Sequence, residues 1–150
     1  MSVDASLTWL GGLKFEAKVE DRNMQLNSAE QMQSAFSPME LFLISLAGCT
    51  AFDVQLIMEK QRQKIDHFKI AVRGRRREED PRYYESIELE YSLKGPNIRK
   101  DAVERAIHLS MRKYCSVRAM LSDSVKLNVK YRIENGEIQE NYIPADKPDI

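Results

Sequence analysis

Between Leu41 and Phe52 the chain carries almost no polar side chain, and this run lies inside a longer stretch, SPMELFLISLAGCTAFDVQLIMEK, from Ser37 to Lys60. Its start carries three helix signals: Ser37 as N-cap, Pro38 at the first helical position and Glu40 three residues after the cap. A helix that is apolar on every side has no face to offer water and is buried. The apolar run is also shorter than the roughly 20 residues that a bilayer requires. From Asp53 the stretch turns amphipathic, and Glu59, Lys60, Arg62 and Lys64 lead it out to solvent. The expectation is a central core helix with Cys49 near its middle.

A chain of 150 residues is long enough to bury a core as one domain, with its body over about residues 7–134 and a tail over 135–150. Lys and Arg total 23 and Asp and Glu total 23, a balance that argues against a nucleic-acid or membrane partner. The start, MSVDASLTWL, has neither a basic segment nor a long apolar one, so no secretion signal is read and a cytoplasmic location is expected. In that compartment two cysteines are not a structural disulfide framework. They are either a transient redox pair or two inert buried thiols, and counting leaves both open.

The remaining elements follow from periodicity. Residues 6–20 read as two strands around Gly11-Gly12, with Leu13, Phe15, Ala17 and Val19 alternating against charged neighbours as on a half-buried strand. A turn at Asp21-Arg22-Asn23 leads to a short strand, Met24–Leu26, and residues 27–36 read as loop. After the helix, Phe68, Ile70 and Val72 alternate, as do Ile87, Leu89, Tyr91 and Leu93. The segment between them holds four arginines in five residues (Arg73, Arg75, Arg76, Arg77), but Glu78, Glu79 and Asp80 follow at once. It reads as a solvated hairpin tip, turned at Asp80-Pro81, and not as a nucleic-acid surface. Gly95-Pro96-Asn97 ends the strand. A second helix, about Lys100 to Tyr114, packs Val103, Ala106, Ile107, Met111 and Tyr114 inward. A short helical turn through Leu121 and a strand over Val125–Ile133 follow, and Asn135-Gly136 turns toward a short strand near Ile138. This order predicts an α+β fold with antiparallel sheet around a long central helix.

Little in the sequence carries chemistry. His67 and His108 fall in no metal-ligand spacing and read as surface or boundary residues, so no metal site and no cofactor is expected. There is no phosphate loop and no GxSxG. Cys49 and Cys115 are the nucleophiles with helical context.

SPMELFLISLAGCTAFDV followed by LSMRKYCSV resembles the OsmC/Ohr family of osmotically inducible and organic hydroperoxide resistance proteins. The likeness runs over roughly residues 7–134. It implies an intertwined α+β homodimer with the central helices inside and a site near the interface. It also implies a thiol peroxidase active in oxidative-stress defence, in which Cys49 attacks an organic hydroperoxide and becomes a sulfenic acid. Cys115 would then close a disulfide with it, and a dithiol reductant would restore both thiols. The apolar face of Met39, Phe42, Leu46 and Phe52 is the expected substrate surface.

The family's usual activating Arg–Glu pair is missing from this sequence. A thiolate in apolar surroundings needs a cation, and Cys49 lies too far from the helix start for the macrodipole to serve. Asp53, one turn later on the same face, acts against the thiolate. Peroxidase members of the family use a strand arginine held by a glutamate just after the helix-starting proline. This chain has Met39 there, while Glu40, at about 100° per residue, lies about 180° around the helix from Cys49. The only arginine before the helix is Arg22, expected at a turn. It is the candidate activating residue, with Arg112 and Arg118 of a partner subunit as substitutes. The alternative reading is a non-catalytic dimer of the same fold that binds a small apolar or thiol-reactive ligand between subunits.

Overall fold

The structure is a computed structural model that describes residues 1–28 and 34–134. The tail, with the Asn135-Gly136 turn and the expected strand near Ile138, lies outside the described residues. The chain divides into two compact units, Met1–Phe42 and Leu43–Ile150, with the long helix α1 (Pro38–Lys60) beginning in the first and running through the second.

The first unit is an antiparallel meander of β1 (Ser6–Gly11), β2 (Lys14–Val19) and β3 (Arg22–Leu26). Gly11 and Gly12 both have positive φ, 104° and 55°, a conformation that costs glycine nothing. The Trp9 indole N–H donates to the Gly12 carbonyl at 2.9 Å and pins this hairpin. The next turn is tighter than expected. Glu20 takes the left-handed conformation, and Arg22 already pairs with Val19, so Arg22 and Asn23 open β3 instead of forming the turn. The alternation along β2 does not bury a face: Ala17 and Val19 are half-buried, whereas Leu13 and Phe15 are exposed, as are Leu7, Trp9 and Met24.

The unit closes on the start of α1, where the capping box is made in full. The Ser37 N–H donates to the Glu40 carboxylate at 2.8 Å, and the Glu40 N–H donates to Ser37 Oγ at 3.4 Å.

In the second unit β4 (His67–Arg76), β5 (Tyr84–Lys94) and β6 (Lys126–Ile133) form a sheet in that order. β4 and β5 are an antiparallel hairpin, while β5 and β6 run parallel. A parallel neighbour needs a crossover, and the helical segment between β5 and β6 supplies it. One face of β5 and β6, formed by Ile87, Leu89, Tyr91, Leu93, Leu127, Val129 and Tyr131, is buried, as are Val103, Ala106 and Ile107 of α2 (Lys100–Leu109) and Val54 and Met58 of α1, and these residues make up the unit's core. The other face carries charge, with Lys130–Glu88 at 2.8 Å and Arg132–Glu90 at 3.7 Å. The arginine segment lies mostly on the strand itself, since β4 extends through Arg76. Glu85 and Glu79 pair with Arg75 and Arg77.

Two helical expectations change. The second helix does not run straight to Tyr114: α2 stops at Leu109, and residues Ser110–Tyr114 make one π-helical turn closed by the Cys115 N–H on the Ser110 carbonyl at 2.9 Å. The wider turn rotates Tyr114 off the apolar stripe and leaves it exposed, while Met111 stays buried. The short helix α3 (Ser116–Met120) follows. For α1, full burial does not hold within one chain. Leu46, Thr50, Val54 and Met58, spaced four apart, are buried, but Ile44, Phe52 and Leu56 are 47%, 75% and 56% exposed. A helix packed along one stripe leaves its other faces outward, and here those faces are apolar too.

Candidate functional site

Cys49 and Asp53 lie one turn apart on α1, so their side chains leave the same face. Cys115 arrives from the other end of the chain, at the joint between the π-helical turn and α3. Its backbone is extended and its Sγ caps α3, accepting the Arg118 N–H at 3.4 Å. The two sulfurs and an Asp53 carboxylate oxygen all lie within 4.8 Å of one another. Cys49 is half-buried, Cys115 is buried, and both are free thiols.

A line of hydroxyls runs from this cluster into the core. Ser110 Oγ sits 2.8 Å from Asp53 Oδ2 and 2.8 Å from Thr50 Oγ1, which in turn is 2.7 Å from the Tyr91 hydroxyl. Each hydroxyl has one hydrogen to give, and an ionised carboxylate can only accept. Ser110 Oγ is placed to donate to Thr50 or to Asp53, so with Asp53 charged its one hydrogen goes to the carboxylate, while Thr50 and Tyr91 share their bond in either direction. With Asp53 protonated, the carboxyl can donate to Ser110 and Ser110 to Thr50. The π-helical turn is what aims Ser110 inward, and Thr50 is the one polar member of the buried stripe on α1.

The electrostatics favour protonated forms. Burial pushes the Asp53 carboxyl above its ordinary range, opposed by the hydrogen bond from Ser110. Burial likewise raises the Tyr91 phenol, opposed by its bond to Thr50. The Cys115 thiol is pushed up to about 12, chiefly by burial, with further increases from the hydrogen-bonded Cys49 thiol and the Asp53 charge. At neutral pH Cys115 is therefore held mainly as the thiol.

Of the residues singled out from sequence, Cys49 and Cys115 are brought together. Phe52 is exposed and Leu46 fully buried, while Met39 and Phe42 are half-buried at the start of α1. Arg22 is an exposed side chain paired with Glu20 at 3.5 Å. Arg118 is buried and its backbone N–H donates to the Cys115 sulfur, and Arg112 is half-buried. His67 and His108 are exposed. Thr50, Tyr91 and Ser110 were not singled out. The available signal was a threonine inside the apolar run, facing inward four residues after Leu46.

Beside Asp53 opens a cleft of about 380 Å³ lined by Leu56, Ile57, Lys60, Arg105, Leu109 and Tyr114, among others. By length and composition alone α1 could cross a membrane. Its buried stripe nevertheless carries Thr50, and Asp53 next to it, in polar contacts within the protein, as a helix of the fold does.

Comparison with known proteins identifies the family and the fold. The family described as "OsmC-like protein" matches residues 31–130. Protein YhfA of Escherichia coli K12 is 34% identical over 131 residues, covering 87% of this chain and 98% of YhfA. The crystal structure of a hypothetical protein from Aquifex aeolicus superposes with a TM-score of 0.81 at 32% identity, covering 89% of this chain and 97% of that one. The organic hydroperoxide resistance protein OhrB of Bacillus subtilis shares the fold, with a TM-score of 0.63 at 13% identity over 88% of this chain and 98% of its own. The chain belongs to the OsmC-like protein family.

Proposed function

We propose that the chain is a thiol-dependent peroxidase that reduces organic hydroperoxides in oxidative-stress defence, acting as a cytoplasmic homodimer. The observation that carries this reading is the approach of Cys49 and Cys115 to within 4.8 Å in an OsmC-like fold, one thiol reachable and the other buried. The Cys49 thiolate attacks the terminal oxygen of the hydroperoxide and the O–O bond breaks. The sulfur becomes a sulfenic acid, and the alkoxide leaves and takes a proton to become an alcohol. The Cys115 sulfur then displaces the hydroxyl group from Cys49. The hydroxide combines with the proton of the Cys115 thiol as water, and a disulfide remains. A dithiol reductant supplies two electrons and two protons to restore the pair.

The organic group of the substrate is assigned to exposed Phe52 and, from the family likeness, to Met39 and Phe42, with Leu46 as the rigid backing of the helix. Arg22 is assigned as the activating cation. Its surface pair with Glu20 is of a kind that contributes little and is readily given up. The dimer reading is supported by the apolar exposed residues of α1 and of the first unit's sheet, more than a lone chain ordinarily leaves to water.

One equivalent of cumene hydroperoxide should convert the reduced wild type to a Cys49–Cys115 disulfide, read as the loss of two hydrogens by intact mass. Cys115→Ser should stop at a sulfenic acid that dimedone traps, and Arg22→Ala should slow both reactions. Two intact thiols in wild type after this treatment would sink the peroxidase reading. They would leave the second one, a dimer that binds a small apolar or thiol-reactive ligand, which the exposed Phe52 near Cys49 favours.

A further inference from the structure

We propose that Cys49, Cys115 and Asp53 form a three-ligand site for a borderline-soft divalent cation, with Zn²⁺ the best match. The sequence offers no such spacing, because two ligands stand one helical turn apart and the third comes from a distant joint. The fold nevertheless gathers two sulfurs and a carboxylate oxygen within 4.8 Å of one another. A tetrahedral zinc has Zn–S near 2.3 Å and Zn–O near 2.0 Å, which puts its ligand atoms about 3.5–3.8 Å apart. The cluster reaches that spacing by closing by at most about 1.3 Å.

The donor set also decides the metal. Two sulfurs select against Mg²⁺ and Ca²⁺, which take oxygen, and the one carboxylate keeps the site open to Zn²⁺ beside softer ions. The carboxylate is already oriented, since Ser110 Oγ holds Asp53 Oδ2 at 2.8 Å and Thr50 stands behind Ser110. Outer partners of this kind fix a ligating carboxylate in metal sites.

Three protein ligands leave a fourth position, and the cleft beside Asp53 is where water or an anionic ligand would reach it. Two thiolates and a carboxylate around a divalent ion leave one net negative charge. Lys60 and Arg105 in the cleft wall are of the sign to offset it. This site stands independently of hydroperoxide turnover, as it needs only the reduced pair and the carboxylate.

The test begins with Co²⁺ added to the fully reduced wild-type chain. One ion per chain should give tetrahedral d–d bands and an intense near-ultraviolet thiolate-to-cobalt band, both lost on adding Zn²⁺. Zinc X-ray absorption on the wild type should show two sulfur neighbours at about 2.3 Å and at least one oxygen. Cys49→Ser and Cys115→Ser should each weaken the charge-transfer band, and Zn²⁺ should protect Cys49 of the wild type from iodoacetamide. Asp53→Asn keeps the side-chain shape, and should lower Zn²⁺ affinity by at least about tenfold. A zinc shell of nitrogen and oxygen alone would overturn the proposal, since it would place the ion on surface groups such as His67 or His108. An affinity unchanged in Asp53→Asn would overturn the three-ligand site.

Discussion

With Cys49 replaced by serine, Cys115 is the chain's one remaining thiol, and its reactivity tests the electrostatics of the site. In the wild type its pKa is lifted from 9.0 to about 12, chiefly by burial, and the variant keeps the burial while losing the smaller contribution of the Cys49 thiol. A rise of up to about three units cuts the thiolate population at neutral pH by up to roughly a thousandfold. Part of this returns as nucleophilicity, because a more basic thiolate attacks faster, with a Brønsted coefficient of about 0.4–0.5. Over three units that recovery is roughly twentyfold, so acidity alone predicts alkylation up to about fiftyfold slower than a free thiol. The sulfur is also only 1% exposed as a residue, and closure of the core adds to the delay.

The assay is iodoacetamide labelling of Cys49→Ser followed by intact mass, with N-acetylcysteine as reference. Across about pH 7 to 9.5 the rate should climb close to tenfold per unit with no plateau, as for a group titrating well above that range. In urea the delay should vanish. A native rate within about threefold of the reference, or a plateau near pH 8.5, would refute the assignment of Cys115 as a buried protonated thiol.

Asp53→Asn tests the carboxyl at the mouth of the hydroxyl line. Its folded pKa is raised above 3.8, so the native state holds the proton more tightly than the unfolded state. Stability is therefore lost as pH rises from that value through the raised folded pKa, and it levels off above. The variant should lack this loss, so its Tm relative to wild type should rise over that window; a constant difference would refute the shift. Gly95→Ala should cost at least about 2 kcal/mol in urea denaturation, because its Cβ would lie 2.2 Å from the Lys64 carbonyl oxygen, a backbone atom that cannot swing aside. A cost below about 0.5 kcal/mol would mean that this loop is not held as described. Sedimentation equilibrium should find a species of twice 17.4 kDa, and Phe52→Asp should shift it toward the monomer; a monomeric wild type would refute the dimer.

Much of this protein is determined locally and could be read in one dimension. The capping box at Ser37 and Glu40, the glycine hairpin and the period-two strands depend on neighbours within a few residues, and each formed where its pattern lies. The family likeness is of the same kind, since its two cysteine motifs are short segments. Other features depend on groups distant in sequence. Whether Cys49 and Cys115 meet depends on where the crossover returns, and no spacing encodes that.

The π-helical turn is a second case. The apolar period over 103–114 fits an ordinary helix, yet the chain widens at Ser110, turning Tyr114 outward and Ser110 inward. That choice places Ser110 against Asp53 and Thr50, where buried hydroxyls find partners that water can no longer supply. The apolar run on α1 is a third. Its composition says only that water must be excluded, and packing within the chain decides that Leu46, Thr50, Val54 and Met58 face inward. The hydrophobic effect has no direction of its own. The sequence can therefore specify that a surface is to be covered, while the tertiary arrangement decides by what.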